Sequence, residues 1–85
     1  MKFEWDEAKS QSNKLKHGIS FPEALPLFAD GIVGDLIADS AVEPRWMKVA
    51  TLDGKHWSAL YTIRDGVVRL ISVRRSRNSE VMQNG

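Results

Sequence analysis

Five of the twelve Lys and Arg residues lie between Tyr61 and Arg77, in YTIRDGVVRLISVRRSR, and all five are Arg. Arg64 and Arg69 flank Asp65-Gly66, the strongest short-range hairpin signal. With those two residues as the turn, Arg64 pairs with Val67, Ile63 with Val68, Thr62 with Arg69, Tyr61 with Leu70, Leu60 with Ile71 and Ala59 with Ser72. Alternation then puts Ile63, Tyr61, Val68 and Leu70 on a core face and Arg64, Thr62 and Arg69 on the other. Two guanidiniums a cross-strand diagonal apart, ~7–8 Å at the backbone, can reach one phosphate group. A solvated sheet face fits the same pattern. Arg74 falls by parity on the core side at the strand end, where it either swings out or pairs with a carboxylate.

The chemistry open to such residues is phosphodiester cleavage without a metal. A base takes the 2′-OH proton, cations stabilise the pentacoordinate phosphorane, and an acid protonates the 5′-oxygen. Arg64 and Arg69 suit the middle role as fixed charges that fork onto phosphate oxygens. His17 or His56 can serve as acid or base. Lys9, Lys48, Arg75 and Arg77 are the candidate RNA contacts. Trp46, Trp57 and Tyr61 can stack a base, although core packing suits Trp57 and Tyr61 better. Other chemistries lack their residues. There is no cysteine. The two histidines are far apart, with no HExxH or H-x₃-H spacing, so neither a metal site nor a cofactor is expected. No P-loop, dinucleotide fingerprint or acyl-transfer motif occurs.

Around these residues stands one domain, residues 1–85. A chain of 85 residues with 42% hydrophobic content supports a single small core. The net charge of +1 does not by itself argue for nucleic acid, but its distribution does more. Residues 1–63 carry seven Lys and Arg against nine Asp and Glu, while residues 64–85 carry five against two. A basic C-terminal patch on a nearly neutral protein follows. No apolar run approaches the ~20 residues of a membrane span, and MKFEWDEAK is no signal peptide. A cytoplasmic protein without membrane contact is expected.

In chain order, Lys2–Trp5 reads as a short edge strand with Phe3 and Trp5 on one face. Asp6 caps a polar helix over 7–17 that ends at Gly18 and packs through Ala8 and Leu15. Ser20-Phe21-Pro22-Glu23 is a capping box for a second helix over 21–29, in which Pro26 forces a kink or a tightened turn. A weak strand at 32–37 is interrupted by Gly34, and a polar loop covers 38–45. Strands follow at 46–52, 56–64 and 67–75, joined by Asp53-Gly54 and Asp65-Gly66. A short helix starts at Ser76 or Asn78. The expected fold is α+β: two N-terminal helices on one face of a roughly four-stranded antiparallel sheet, with a short C-terminal helix. Leu60, Ile71 and Val73 point to the opposite face, which a partner or the tail must cover.

The N-terminal stretch FEWDEAKSQSNKLKHGISFPEA resembles the signature of the BrnT toxins at Phe3, Trp5-Asp6, Lys9, Asn13, Lys16-His17-Gly18, Phe21 and Glu23-Ala24. Asp30, the strand Arg69-Leu70-Ile71-Ser72-Val73-Arg74-Arg75 and Glu80 extend the likeness over nearly the whole chain. The resemblance implies a RelE-like fold and a type II toxin that blocks translation by cleaving RNA. It implies neutralisation by a BrnA-like ribbon-helix-helix antitoxin seated on the open sheet face, with operator DNA bound only through the complex. Lys9, His17, Arg69 and Arg74 stand at matched positions, and Arg64 stands close to one. Two departures are Pro26 and the lack of a Tyr after the tail glutamate; if that Tyr stacks RNA, activity is lowered here. Two other readings compete: a non-catalytic module that binds an antitoxin-like protein and, in complex, DNA, and a plain RNA-binding domain.

Overall fold

A computed structural model describes residues 1–38 and 43–84; the middle of the loop expected over 38–45 lies outside the described residues. Strands are β1 (Phe3–Glu4), β2 (Asp35–Ala38), β3 (Arg45–Leu52), β4 (Lys55–Arg64) and β5 (Val67–Arg75). Helices are α1 (Glu7–His17), α2 (Phe21–Ala24), a 3-10 turn (Leu25–Phe28) and α3 (Asn78–Asn84).

The sheet has five strands in the order β1-β5-β4-β3-β2 and is mixed, not a four-stranded antiparallel sheet. The difference comes from β1, which pairs in parallel with β5 through Phe3–Val68 and Glu4–Arg69. The helices between β1 and the hairpins serve as its crossover. Both Asp-Gly turns form as expected: Asp53, Gly54, Asp65 and Gly66 all have φ between 51° and 78°, as two-residue hairpin loops require.

The hairpin register holds from the turn to Tyr61–Leu70 and then shifts. Leu60 pairs with Ser72, Ala59 with Val73 and Ser58 with Arg74, so Ile71 is the extra residue of a β-bulge. The shift reverses every downstream face. Val73 is buried in the core and is not on the open face. Arg74 lies on the face away from α1 and α2, not on the core side. Ile63 is also corrected: it has core parity but sits at the turn end, past the helical layer, and is 41% exposed.

One face of the sheet carries the core, in which Tyr61, Val68, Leu70, Val73 and Trp57 meet Phe21, Leu27 and Phe28. Phe3 packs against Phe28 with tilted rings at 5.3 Å between centroids, and Trp5 meets Phe21 edge-on at 6.4 Å, so the two N-terminal aromatics share a face as their alternation predicts. Burial of these rings supplies the main stabilisation. Tyr61 keeps its hydroxyl satisfied by donating to the Ile32 carbonyl. Gly34 lies where a Cβ would stand 2.8 Å from that hydroxyl and 2.6 Å from the Met47 carbonyl oxygen. This close approach explains the glycine, and β2 begins only after it.

Helix α1 follows its caps. Asp6 accepts from the Lys9 amide, and Gly18 ends the helix at φ 79°. Its packing differs from the apolar stripe expected: Ala8 is exposed and Leu15 is 89% exposed. The buried residues are Ser10 and Asn13. Ser10 Oγ accepts from the Phe21 amide at 3.0 Å. Asn13 Nδ2 donates to the Ile19 and Val73 carbonyls, both at 2.8 Å, and Asn13 Oδ1 accepts from the Val73 amide at 3.1 Å. A polar stitch therefore docks α1 onto the edge of β5. The capping box at Ser20 and Glu23 forms, and Pro26 tightens the second helix into the 3-10 turn after Ala24. No described helix is long and apolar enough to cross a membrane.

Candidate functional site

The sheet face opposite α1 and α2 presents Ser58, Thr62, Arg64, Arg69 and Arg74, by the register of β4 and β5. Each of the three guanidiniums meets a carboxylate. Arg64 reaches Glu43 at 2.6 Å and Arg69 reaches Glu4 at 3.2 Å. Arg74 forks onto Glu80 of α3, with Nη1 to Oε1 at 2.9 Å and Nη2 to Oε2 at 2.7 Å. Thr62, buried on this face, donates to the Pro44 carbonyl.

Glu80 is the most constrained of these acids. Besides Arg74 it accepts from Ser58 Oγ at 2.8 Å and from the Arg77 amide at 2.9 Å, and Ser58 Oγ lies 2.8 Å from Ser76 Oγ. Glu80 is buried. Its carboxyl is held down to about 2, first by the Arg74 hydrogen bonds and then by the Arg77 amide and the Ser58 hydroxyl, against the opposing effect of burial. Hydrogen bonding to Glu80 raises the Arg74 guanidinium further above its already high range.

Lys48 goes elsewhere. It pairs with Ala59 in the sheet and therefore faces the helical layer. It is 7% exposed, donates to Asp30 and the Gly31 carbonyl, and sits 5.6 Å from the centre of the Phe28 ring. The pairing lowers the Asp30 carboxyl. Arg75 lies over the Trp57 ring at 5.6 Å, at the end of β5. Arg77 is exposed beside the start of α3. Trp57 and Tyr61 are core residues, and Trp46 is half-buried against the core.

His17 and Lys9 lie at a separate place, on α1 beside the bulge of β5, in a shallow cleft shared with Ser12, Lys16 and Ser72. The predicted residues thus form two groups, the arginines on the sheet face and His17 with Lys9 at the α1–β5 edge. Sequence reasoning did not foresee Glu4 and Glu43 as carboxylate partners, nor the Ser58–Ser76 pair. The signal for the Arg74–Glu80 pair was available in their six-residue separation, across a strand end and one helical turn. Among the described residues no group of three or more His, Asp and Glu is clustered as a metal site.

A family model described as the ribonuclease toxin, BrnT, of type II toxin–antitoxin systems matches residues 5–80. The chain belongs to the BrnT family. Within this BrnT chain the matched span starts at Trp5 in the strand-to-helix entry and ends at Glu80, the acid that holds Arg74. Neither the curated proteins nor the solved structures contain a significant match. Ribonuclease toxicity is thus the activity of the family, and an antitoxin partner and an RNA substrate go with it.

Proposed function

We propose that this protein is a metal-independent endoribonuclease that cleaves RNA by 2′-OH attack and thereby stops translation. Arg69 and Arg74 act as the charge-stabilising pair, with Arg64 beside them. In this reading they neutralise the phosphorane while its equatorial oxygens carry the developing charge. The 2′-oxygen forms its bond to phosphorus as a base takes its proton. The 5′-oxygen leaves with a proton from an acid, and a 2′,3′-cyclic phosphate remains. His17 supplies one of these proton transfers. Lys9, Arg75 and Arg77 bind the RNA backbone along the strand.

The observation that carries the reading is the shared face of Arg64, Arg69 and Arg74, each held by a carboxylate that a phosphate can replace. The carboxylates keep the guanidiniums ordered until substrate arrives. Neutralisation falls to a BrnA-like ribbon-helix-helix antitoxin over this same face, and the complex binds operator DNA in the cytoplasm. A second reading, binding without catalysis, is favoured by one observation: all three guanidiniums are already neutralised.

The deciding experiment uses purified protein, free of any partner, with labelled RNA in excess EDTA, beside Arg69→Ala. Cleavage by the wild type alone, with cyclic phosphate ends, is expected. Intact RNA in both lanes with strand binding retained would move the binding reading ahead.

A further inference from the structure

We infer that the cleft between α1 and β5 is a phosphodiester-binding site, which seats the backbone of single-stranded RNA beside the arginine face. The inference rests on the RNA-handling part of the reading above and adds a site to it.

Three observations converge there. The first is charge. Lys14, Lys48, Arg64, Arg69 and Arg74 each have a carboxylate partner. Lys9, Lys16 and His17 have no carboxylate partner among the described residues, a state they share with Lys2, Arg45, Lys55, His56, Arg75 and Arg77, but these three are gathered in one cleft that no carboxylate lines. Cationic side chains left without an internal partner attract a ligand anion more than neutralised ones do.

The second is placement. Lys9, Ser12, Asn13 and Lys16 recur at three- and four-residue spacing and so share one stripe of α1. Asn13 fixes that stripe against β5 through its two bonds to Val73. Lys9 and Lys16 then stand about 10 Å apart along the helix axis, flanking the stitch. Beyond Arg69, β5 has no pairing with β1. There the bulge residue Ile71 and its neighbour Ser72 line the cleft beside the helix. Bulges re-aim side chains near functional sites.

The third is size. The cleft measures about 160 Å³, about five times the ~30 Å³ a liquid water occupies and well below the ~300 Å³ at which pockets for larger ligands begin. It suits one phosphate group with hydroxyl donors, from Ser12 and Ser72, and not a base.

The test is fluorescence anisotropy of a labelled single strand with 2′-deoxy sugars, which cannot be cleaved, across a salt series. Wild type is compared with Lys9→Gln/Lys16→Gln and with Lys2→Gln/Lys55→Gln, which removes two lysines outside the cleft. The cleft variant is expected to bind about tenfold more weakly at low salt. Its log–log salt slope should be shallower by ~0.7 for each lysine–phosphate ion pair removed, with the melting temperature unchanged. In a second measurement, inorganic phosphate should shift the amide resonances of Ile71 and Ser72 in wild type and not in the cleft variant. Equal losses in the two double variants, or no strand binding by wild type, overturn the site. Cleavage of RNA that the cleft variant leaves unaltered overturns the site and leaves the ribonuclease reading intact. Strand binding lost only in the cleft variant, by a protein that never cleaves RNA, upholds the site and removes the ribonuclease reading.

Discussion

Arg74 and Glu80 meet through both terminal guanidinium nitrogens and both carboxylate oxygens, at 2.9 and 2.7 Å, and so tie the last helix to the sheet. Glu80 titrates near 2 in the folded protein, below the 4.5 of a free glutamate. Between these values the unfolded chain binds more protons, so stability rises with pH there. The contribution from Glu80 is complete above about pH 4.5 and is lost as pH falls towards 2. Its size is about 2 kcal/mol, since Arg74 is partly exposed. Glu80→Gln should therefore lower stability at pH 7 by about that amount, and the gap between the two proteins should close by pH 2. Denaturant titrations at several pH values measure it. A constant gap would show that α3 is held by something else. Glu23, lowered to about 2 by Lys14, acts in the same pH range but cancels in the comparison.

Arg69→Ala should leave the fold nearly intact. The Arg69–Glu4 pair is half open to solvent, with side chains 27% and 44% exposed, and such pairs contribute ~0–1 kcal/mol. A fall in melting temperature of no more than about 8 °C is expected, together with loss of RNA cleavage. A larger fall on thermal unfolding would make Arg69 a structural residue.

Asn13→Ala should be costly despite its small volume change. Three buried bonds go at once, two to Val73 and one to Ile19, and the orphaned backbone groups each cost ~1–3 kcal/mol. A loss of about 3 kcal/mol or more is expected by chemical denaturation. Faster hydrogen exchange at the Val73 amide should accompany it.

Lys48→Met tests the opposite outcome. The ammonium faces the helical layer and is used by Asp30 and Gly31. Single-strand affinity and its salt slope should match wild type in anisotropy, which withdraws Lys48 as an RNA-binding residue. A reduced slope would restore it.

Much of the fold was legible because short-range rules decide it. Asp-Gly at both hairpins, the Ser20–Glu23 box and Gly18 act over a few residues, and the structure has each where expected. Pro26 likewise acts locally: of the kink and the tightened turn that it allows, the structure has the second, a 3-10 turn. What escaped was set by partners distant in sequence. Nothing in Leu70-Ile71-Ser72 marks a bulge, because the run alternates acceptably in either register. Asn13 looks like an ordinary polar helix residue until Val73, sixty positions later, supplies its bonds. Hydropathy pointed to Leu15, yet α1 docks through hydrogen bonds. Of the site residues, the arginine face near the turn was legible from alternation. Arg74 was displaced by the bulge, and a carboxylate partner was one of its two expected fates, but Glu80 was not singled out although its six-residue separation allowed it.

Ile71 makes β5 a strand with two phases. Up to Leu70 the even-numbered residues point inwards, and from Ser72 onwards the odd-numbered ones do. Deleting either Ile71 or Ser72 would straighten the pleat and leave Leu70 and Val73 inside and Arg69 and Arg74 outside. Neighbouring β4 holds no such spare residue, since Trp57, Ala59 and Tyr61 keep one phase throughout. Removing Leu60 there would turn Trp57 outwards and Ser58 into the core. The joint thus gives β5 one residue of slack: the hairpin can absorb a lost codon on one of its arms and not on the other.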